Sequence, residues 1–143
     1  MAIKRKGSAV WQGGIKDGKG RVSTESGALS DHPYGFTSRF EGGKGTNPEE
    51  LLGAAHAGCF SMALSKILGE AGYVPEKLET TATVSLEQAD GGFSIPAVRL
   101  TLAARIPDIG EDEFRELADK AKAGCPVSKL FRADITLDAT LKG

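Results

Sequence analysis

The chain has 143 residues, 40% of them apolar and 26% charged, with a formal net charge of −1. That length supports one domain with a core of ordinary size, and the near-neutral charge removes the electrostatic case for a nucleic acid or an acidic lipid surface as partner. The basic opening Met1–Gly7 is followed by no apolar leader run, so a cytoplasmic protein is expected. In a reducing cytoplasm, Cys59 and Cys125 are not expected to form a standing structural staple.

The first forty-odd residues are rich in Gly, Ser, Thr and Lys. Three strand-like runs stand out, at Ser8–Gln12, Gly20–Thr24 and Gly35–Glu41. Gly13-Gly14 and Asp17-Gly18 signal turns between the first two, and Pro33-Tyr34-Gly35 opens the third. The glycine-rich run Gly42–Thr46 has no Walker spacing, and Glu49 and Glu50 place negative charge where a phosphate would sit, so nucleotide binding is not expected.

A helix start follows. Asn47 suits the N-cap, Pro48 the first helical position, and Glu50 the acidic member of a capping box. The helix is expected to run to Glu70, with Gly72 as its stop and Pro75 beyond. It would be roughly 35 Å long. Its apolar residues occupy nearly every face, which predicts burial almost all round. A small monomer can hardly wrap such a helix, and a dimer burying two of them is the simpler solution. His56, Ser61, Ser65 and Lys66 make it too polar for an expected membrane span.

The second half reads as strands and one helix. Ala82, Val84 and Leu86 alternate with polar residues; so do Val98, Leu100, Leu102, Ala104 and Ile106 within Phe93–Ile106. Asp90-Gly91-Gly92 between the two runs makes a hairpin. Glu111–Ala123 carries Phe114, Leu117, Ala118 and Ala121 at helical spacing, and Asp134–Leu141 is a final strand with Ile135, Leu137, Ala139 and Leu141 on one face. The expected class is α+β, with one-sided antiparallel sheets covering a buried helix.

Cys59 is the first candidate for chemistry. Its plain reading is a small apolar residue in a packed helix. A reactive thiol needs a cation or a helix N-terminus, and Cys59 lies roughly 17 Å beyond its helix start, where the dipole has faded. A cationic side chain must therefore be brought to it. Arg39 is the candidate, either that or a solvated surface charge. Glu49 is suited to hold the guanidinium fork still, or else merely decorates the helix dipole. Glu49 and Cys59 are about 15 Å apart on a straight helix, so either the helix breaks near Gly53 or Arg39 and Glu49 reach Cys59 across a dimer interface. His56 shares a helix face with Cys59, yet no Asn or Asp orienter is evident, and a hydrogen-bonded core histidine is expected. Cys125, before the stop signal Pro126, reads either as core filling or as a second redox thiol. The chain has no CxxC motif and no zinc-ligand spacing.

The run Thr46–Phe60, together with Ala121–Ser128 and the segments Tyr34-Gly35-Phe36 and Arg39–Gly42, resembles the OsmC branch of the OsmC/Ohr family of organic hydroperoxide reductases. The resemblance covers essentially the whole chain. It implies one OsmC-like domain over 1–143, with a three-strand part to about 45, a central helix at about 47–71 and a strand–helix–strand part at about 76–143. It implies an intertwined homodimer, with antiparallel sheets around two long central helices. It also implies a cysteine-based peroxidase of stress protection, in which Cys59 is peroxidatic, Cys125 resolving, and Arg39 and Glu49 assist the first thiol. Organic hydroperoxides would be substrates, an external dithiol of dihydrolipoamide type the reductant, and no metal or bound cofactor is implied. The rival reading is a non-catalytic dimeric stress protein holding an apolar ligand in its interface cleft. A Cys-His hydrolase is a weaker third.

Overall fold

Asp90 and Gly91 both take positive φ, at 50° and 79°, as a two-residue type I′ turn requires. That turn joins strand β4 (Lys77–Ala89) to strand β5 (Gly92–Arg105) as the sequence predicts. The computed structural model describes residues 1–143. It divides into two compact units, Met1–Leu51 and Leu52–Gly143.

The first unit holds strands β1 (Gly7–Gln12), β2 (Lys19–Thr24) and β3 (His32–Tyr34), paired antiparallel in that order. Its third strand is not where the alternation placed it. Gly35–Glu41 is no strand: Phe36–Phe40 forms a short helix, α1. Phe36 and Phe40 sit four apart, and their rings meet at 5.1 Å, a helical pairing that a strand reading overlooks. The Ser38 hydroxyl accepts the Gly35 N–H at 2.9 Å and donates to the Thr46 carbonyl at 2.7 Å, which closes the turn.

Helix α2 runs unbroken from Pro48 to Glu70, with the predicted bounds. Asn47 caps it, its Oδ1 accepting the Glu50 N–H at 2.8 Å. The Glu50 carboxylate does not close the expected box; it takes the Thr46 hydroxyl at 2.7 Å. Helix α2 is long and apolar, with a mean hydropathy of 1.4, a property that the core helix of a soluble protein shares with a membrane span. Only 28% of the apolar window is buried in the chain. Phe60, Leu64 and Leu68 form the covered stripe; Ala54, Ala55, Gly58 and Met62 are exposed.

The covered stripe belongs to the core of the second unit. Helix α3 (Glu111–Gly124) contributes Phe114, Leu117, Ala118 and Ala121, and β5 contributes Leu100, Leu102 and Ala104. Burying each large apolar side chain contributes about 1.5–3 kcal/mol. Strand β6 (Asp134–Leu141) completes the sheet in the order β4-β5-β6. One pairing departs from an all-antiparallel sheet: β6 runs parallel to β5. The intervening crossover carries α3, which returns the chain to the starting end of the sheet, as a parallel pair requires. The crossover also contains a helix the sequence reading lacked, α4 (Pro126–Leu130), with Pro126 at its first turn.

At Gly53, α2 packs close against β4: a Cβ there would stand 2.9 Å from the Ala82 carbonyl oxygen. Gly53→Ala is therefore expected to destabilise by about 1–3 kcal/mol despite the better helix propensity of alanine. Gly69→Ala, with nothing within 4 Å, should stabilise by about 0.5–1 kcal/mol. Urea melts of the two variants measure the contrast.

Candidate active site

Cys59 projects from the middle of α2 and is half-buried, whereas Cys125 is fully buried; both are free thiols. Cys125 ends α3 and caps α4, with its backbone extended between the two helices at φ −60° and ψ 129°. This kink turns its side chain toward α2. Cys125 and the Val127 amide in the first turn of α4 are the neighbours that act on the Cys59 sulfur. That amide is one of the four N–H groups that a helix start leaves without an internal partner.

Burial pushes the Cys59 thiol above its ordinary pKa, and the neighbouring Cys125 thiol raises it further; only the Val127 amide acts the other way. No cation is among these influences. These neighbours disfavour the Cys59 thiolate.

The thiol opens on a cleft of about 540 Å³ lined by Cys59, Met62, Ala63, Lys66, Ile67, Gly124 and Pro126. Its walls are largely apolar, with the Lys66 stem at one side. A cleft of this size and character suits an apolar small molecule. A separate cavity of about 310 Å³, lined by Leu52, Val84, Ile95, Leu130, Phe131, Arg132 and Ala133, offers no nucleophile.

Arg39 and Glu49 are also brought together, in the first unit. Arg39 donates from Nε to Oε1 at 3.1 Å and from Nη2 to Oε2 at 2.9 Å, the bidentate fork that the sequence suggests. Glu49 is 7% exposed, and the Arg39 guanidinium lies 5.4 Å from the Phe40 ring centre. The two bonds use Nε and Nη2 and leave the Nη1 hydrogens for a second acceptor. Because α2 is unbroken at Gly53, a helix break does not bring Glu49 to Cys59. Arg39 itself comes from a helix rather than a strand.

His56 is fully buried, as expected, but only half satisfied. Its Nε2 shares a 2.7 Å hydrogen bond with Ser128 Oγ, and its Nδ1 has no partner. The Phe131 ring meets the imidazole edge-on at 5.2 Å. Sequence reasoning found no orienter for His56 because it looked for Asn or Asp nearby; Ser128 lies 72 positions away. The Val127 amide and Lys66 were missed for a related reason: a backbone donor and a flanking lysine carry no sequence signal of their own.

Burial holds the His56 pKa below its ordinary value of 6.5. As pH falls, the unfolded chain takes up this proton before the folded chain does. The stabilisation is whole above pH 6.5 and is lost as pH falls through the lowered folded value. Urea melts across this range should show the wild type weakening on acidification more steeply than His56→Gln; equal slopes would remove His56 from the account.

Residues 41–140 match the family described as OsmC-like protein. The chain is 58% identical to Peroxiredoxin OsmC of Escherichia coli (strain K12) over 142 residues, covering 99% of each. It is 30% identical to the organic hydroperoxide resistance protein OhrB of Bacillus subtilis (strain 168) over 124 residues, covering 86% of this chain and 89% of that one. The crystal structure of Bacillus subtilis OhrB superposes with a TM-score of 0.68 at 29% identity, covering 96% of this chain and 98% of the other. With the family match spanning most of its length and a relative this similar from end to end, the chain belongs to the OsmC-like protein family.

Proposed function

We propose that the protein is a thiol-dependent peroxidase that reduces organic hydroperoxides to alcohols and protects the cell against them. The observation that carries the reading is the pair of facing thiols, Cys59 and Cys125, at the edge of an apolar cleft. Relatives named Peroxiredoxin OsmC and organic hydroperoxide resistance protein support it.

The Cys59 thiolate attacks the outer peroxide oxygen. The O–O bond breaks, the alkoxide leaves and takes a proton as alcohol, and Cys59 becomes a sulfenic acid. The Cys125 sulfur then displaces hydroxide from the Cys59 sulfur, its own proton leaving with it as water, and a disulfide forms. An external dithiol, of dihydrolipoamide type, returns both thiols by exchange and is itself oxidised to a disulfide. No metal or bound cofactor enters the cycle. A reducing cytoplasm suits an enzyme whose resting form is the dithiol.

Arg39, held by Glu49, supplies the missing cation. It favours the thiolate and stabilises the charge developing on the leaving oxygen. The protein works as a homodimer, in which Arg39 of the partner subunit approaches Cys59. Two observations support the dimer. Met1–Leu51 buries no large apolar side chain, although Val10, Trp11 and Ile15 are exposed there, and a segment of that length without a core needs a surface to pack on. The uncovered apolar side of α2 needs the same. On this reading 1–143 act as one OsmC-like domain.

One equivalent of cumene hydroperoxide should consume two thiols per chain in the wild type, one in Cys125→Ser, which then stalls, and none through Cys59 in Cys59→Ser. Full turnover by Cys59→Ser would overturn the assignment, and inert wild-type thiols would favour an apolar-ligand carrier instead. Arg39→Ala is expected to slow the first step roughly 10- to 100-fold at neutral pH, the scale of a lost neighbouring charge. Because the Cys59 thiol is raised without it, the variant's rate should climb with pH through the thiol range while the wild type stays flatter. A profile parallel to the wild type would remove Arg39 from the ionisation of Cys59.

A further inference from the structure

His56 precedes Cys59 by three residues on α2, and Ser128 follows Cys125 by three residues in α4. His56 meets Ser128, and Cys59 meets Cys125. The two contacts are therefore rungs of one antiparallel crossing between α2 and the start of α4, about one helical turn apart. The His56–Ser128 rung is buried on both sides: His56 is 0% and Ser128 8% exposed.

The two thiols are free, and the cysteine rung has to close to a bond of about 2.05 Å for a disulfide to form. Cys59 is fixed within a continuous helix. Cys125 sits at the joint between α3 and α4, where the torsions turn extended (φ −60°, ψ 129°) while its N–H still donates to the Ala121 carbonyl and its own carbonyl still accepts the Lys129 N–H. Movement at that joint swings α4. What keeps such movement aimed at Cys59 is the neighbouring rung, with the Phe131 ring seated on the imidazole beyond it.

We infer that His56 and Ser128 are positioning residues for the resolving step: their hydrogen bond holds α4 against α2 so that the Cys125 thiol stays opposite the Cys59 sulfenic acid. The inference rests on the peroxidase reading above and adds to it a division of labour, in which the peroxide step depends on the surroundings of Cys59 and the disulfide step on this latch. His56 touches neither sulfur in the hydrogen-bond network, and its bonded nitrogen is occupied by Ser128, so its part is orientation rather than proton transfer.

The test is single-turnover kinetics of the full chain with cumene hydroperoxide, following sulfenic acid by dimedone trapping and disulfide by mass spectrometry. In Ser128→Ala, sulfenic acid formation should stay within about threefold of the wild type while disulfide formation slows roughly tenfold, the effect of losing one buried hydrogen bond. Trapped sulfenic acid should accumulate, and excess peroxide should drive Cys59 on to sulfinic acid. Ser128→Thr, which keeps the hydroxyl, should restore the disulfide rate, and His56→Gln gives a second route to the same split should Ser128→Ala fold poorly. An unchanged disulfide rate in both Ser128→Ala and His56→Gln overturns the proposal, as does an equal fall of both steps. A wild type that forms no disulfide at all brings down the peroxidase reading and this inference together, and is told apart because it needs no variant to be seen.

Discussion

A thiol in the middle of a long helix gains nothing from that helix's dipole, and Cys59 is such a thiol. Its surroundings make ionisation harder: apolar burial and a second thiol outweigh one amide donor from Val127. The proposed role of Arg39 answers that deficit. The guanidinium fork of Arg39, steadied by a nearly buried Glu49, is the kind of permanent cation the deficit calls for, because arginine keeps its charge where a lysine would lose it on burial.

The two units differ in how they hold themselves together. Leu52–Gly143 has a core in which α2, α3 and β5 interlock. Met1–Leu51 is held by polar devices instead: the Ser38 hydroxyl, the Asn47 side chain on the Ser38 carbonyl, and the Arg39–Glu49 pair. Polar networks of this kind define a shape but supply little net stability. These bonds set the shape around Arg39, and Val10, Trp11 and Ile15 of the same unit are exposed.

Much of this was legible in the sequence wherever one short-range rule had no competitor. Asp90-Gly91 admits one turn type, Asn47-Pro48 one helix start, and Phe114, Leu117, Ala118 and Ala121 one helix face, and all three stand as read. Gly35–Glu41 failed because a five-residue apolar pattern satisfies period two and an i,i+4 pair equally, and the side-chain bonds of Ser38 decided between them. The parallel β5–β6 pairing and the Ser128 partner of His56 were invisible for another reason: both depend on where a long crossover returns, and no local residue pattern encodes that. The thiol pair became legible through family resemblance, and its contact is a tertiary fact of the same crossover.

The opposed sulfurs also bear on how the spent enzyme is recovered. Once Cys59 and Cys125 are joined, any reductant that opens the bond leaves a freed protein thiol beside the mixed disulfide, at an effective concentration set by the fold and far above that of a dissolved thiol. A reductant with one sulfur would be ejected by that neighbour as fast as it attacked. A molecule with two sulfurs closes its own ring and departs before the protein can reverse the exchange. In the proposed cycle, packing that favours rapid ring closure within the protein would select, by kinetics alone, for a recycling partner able to cyclise.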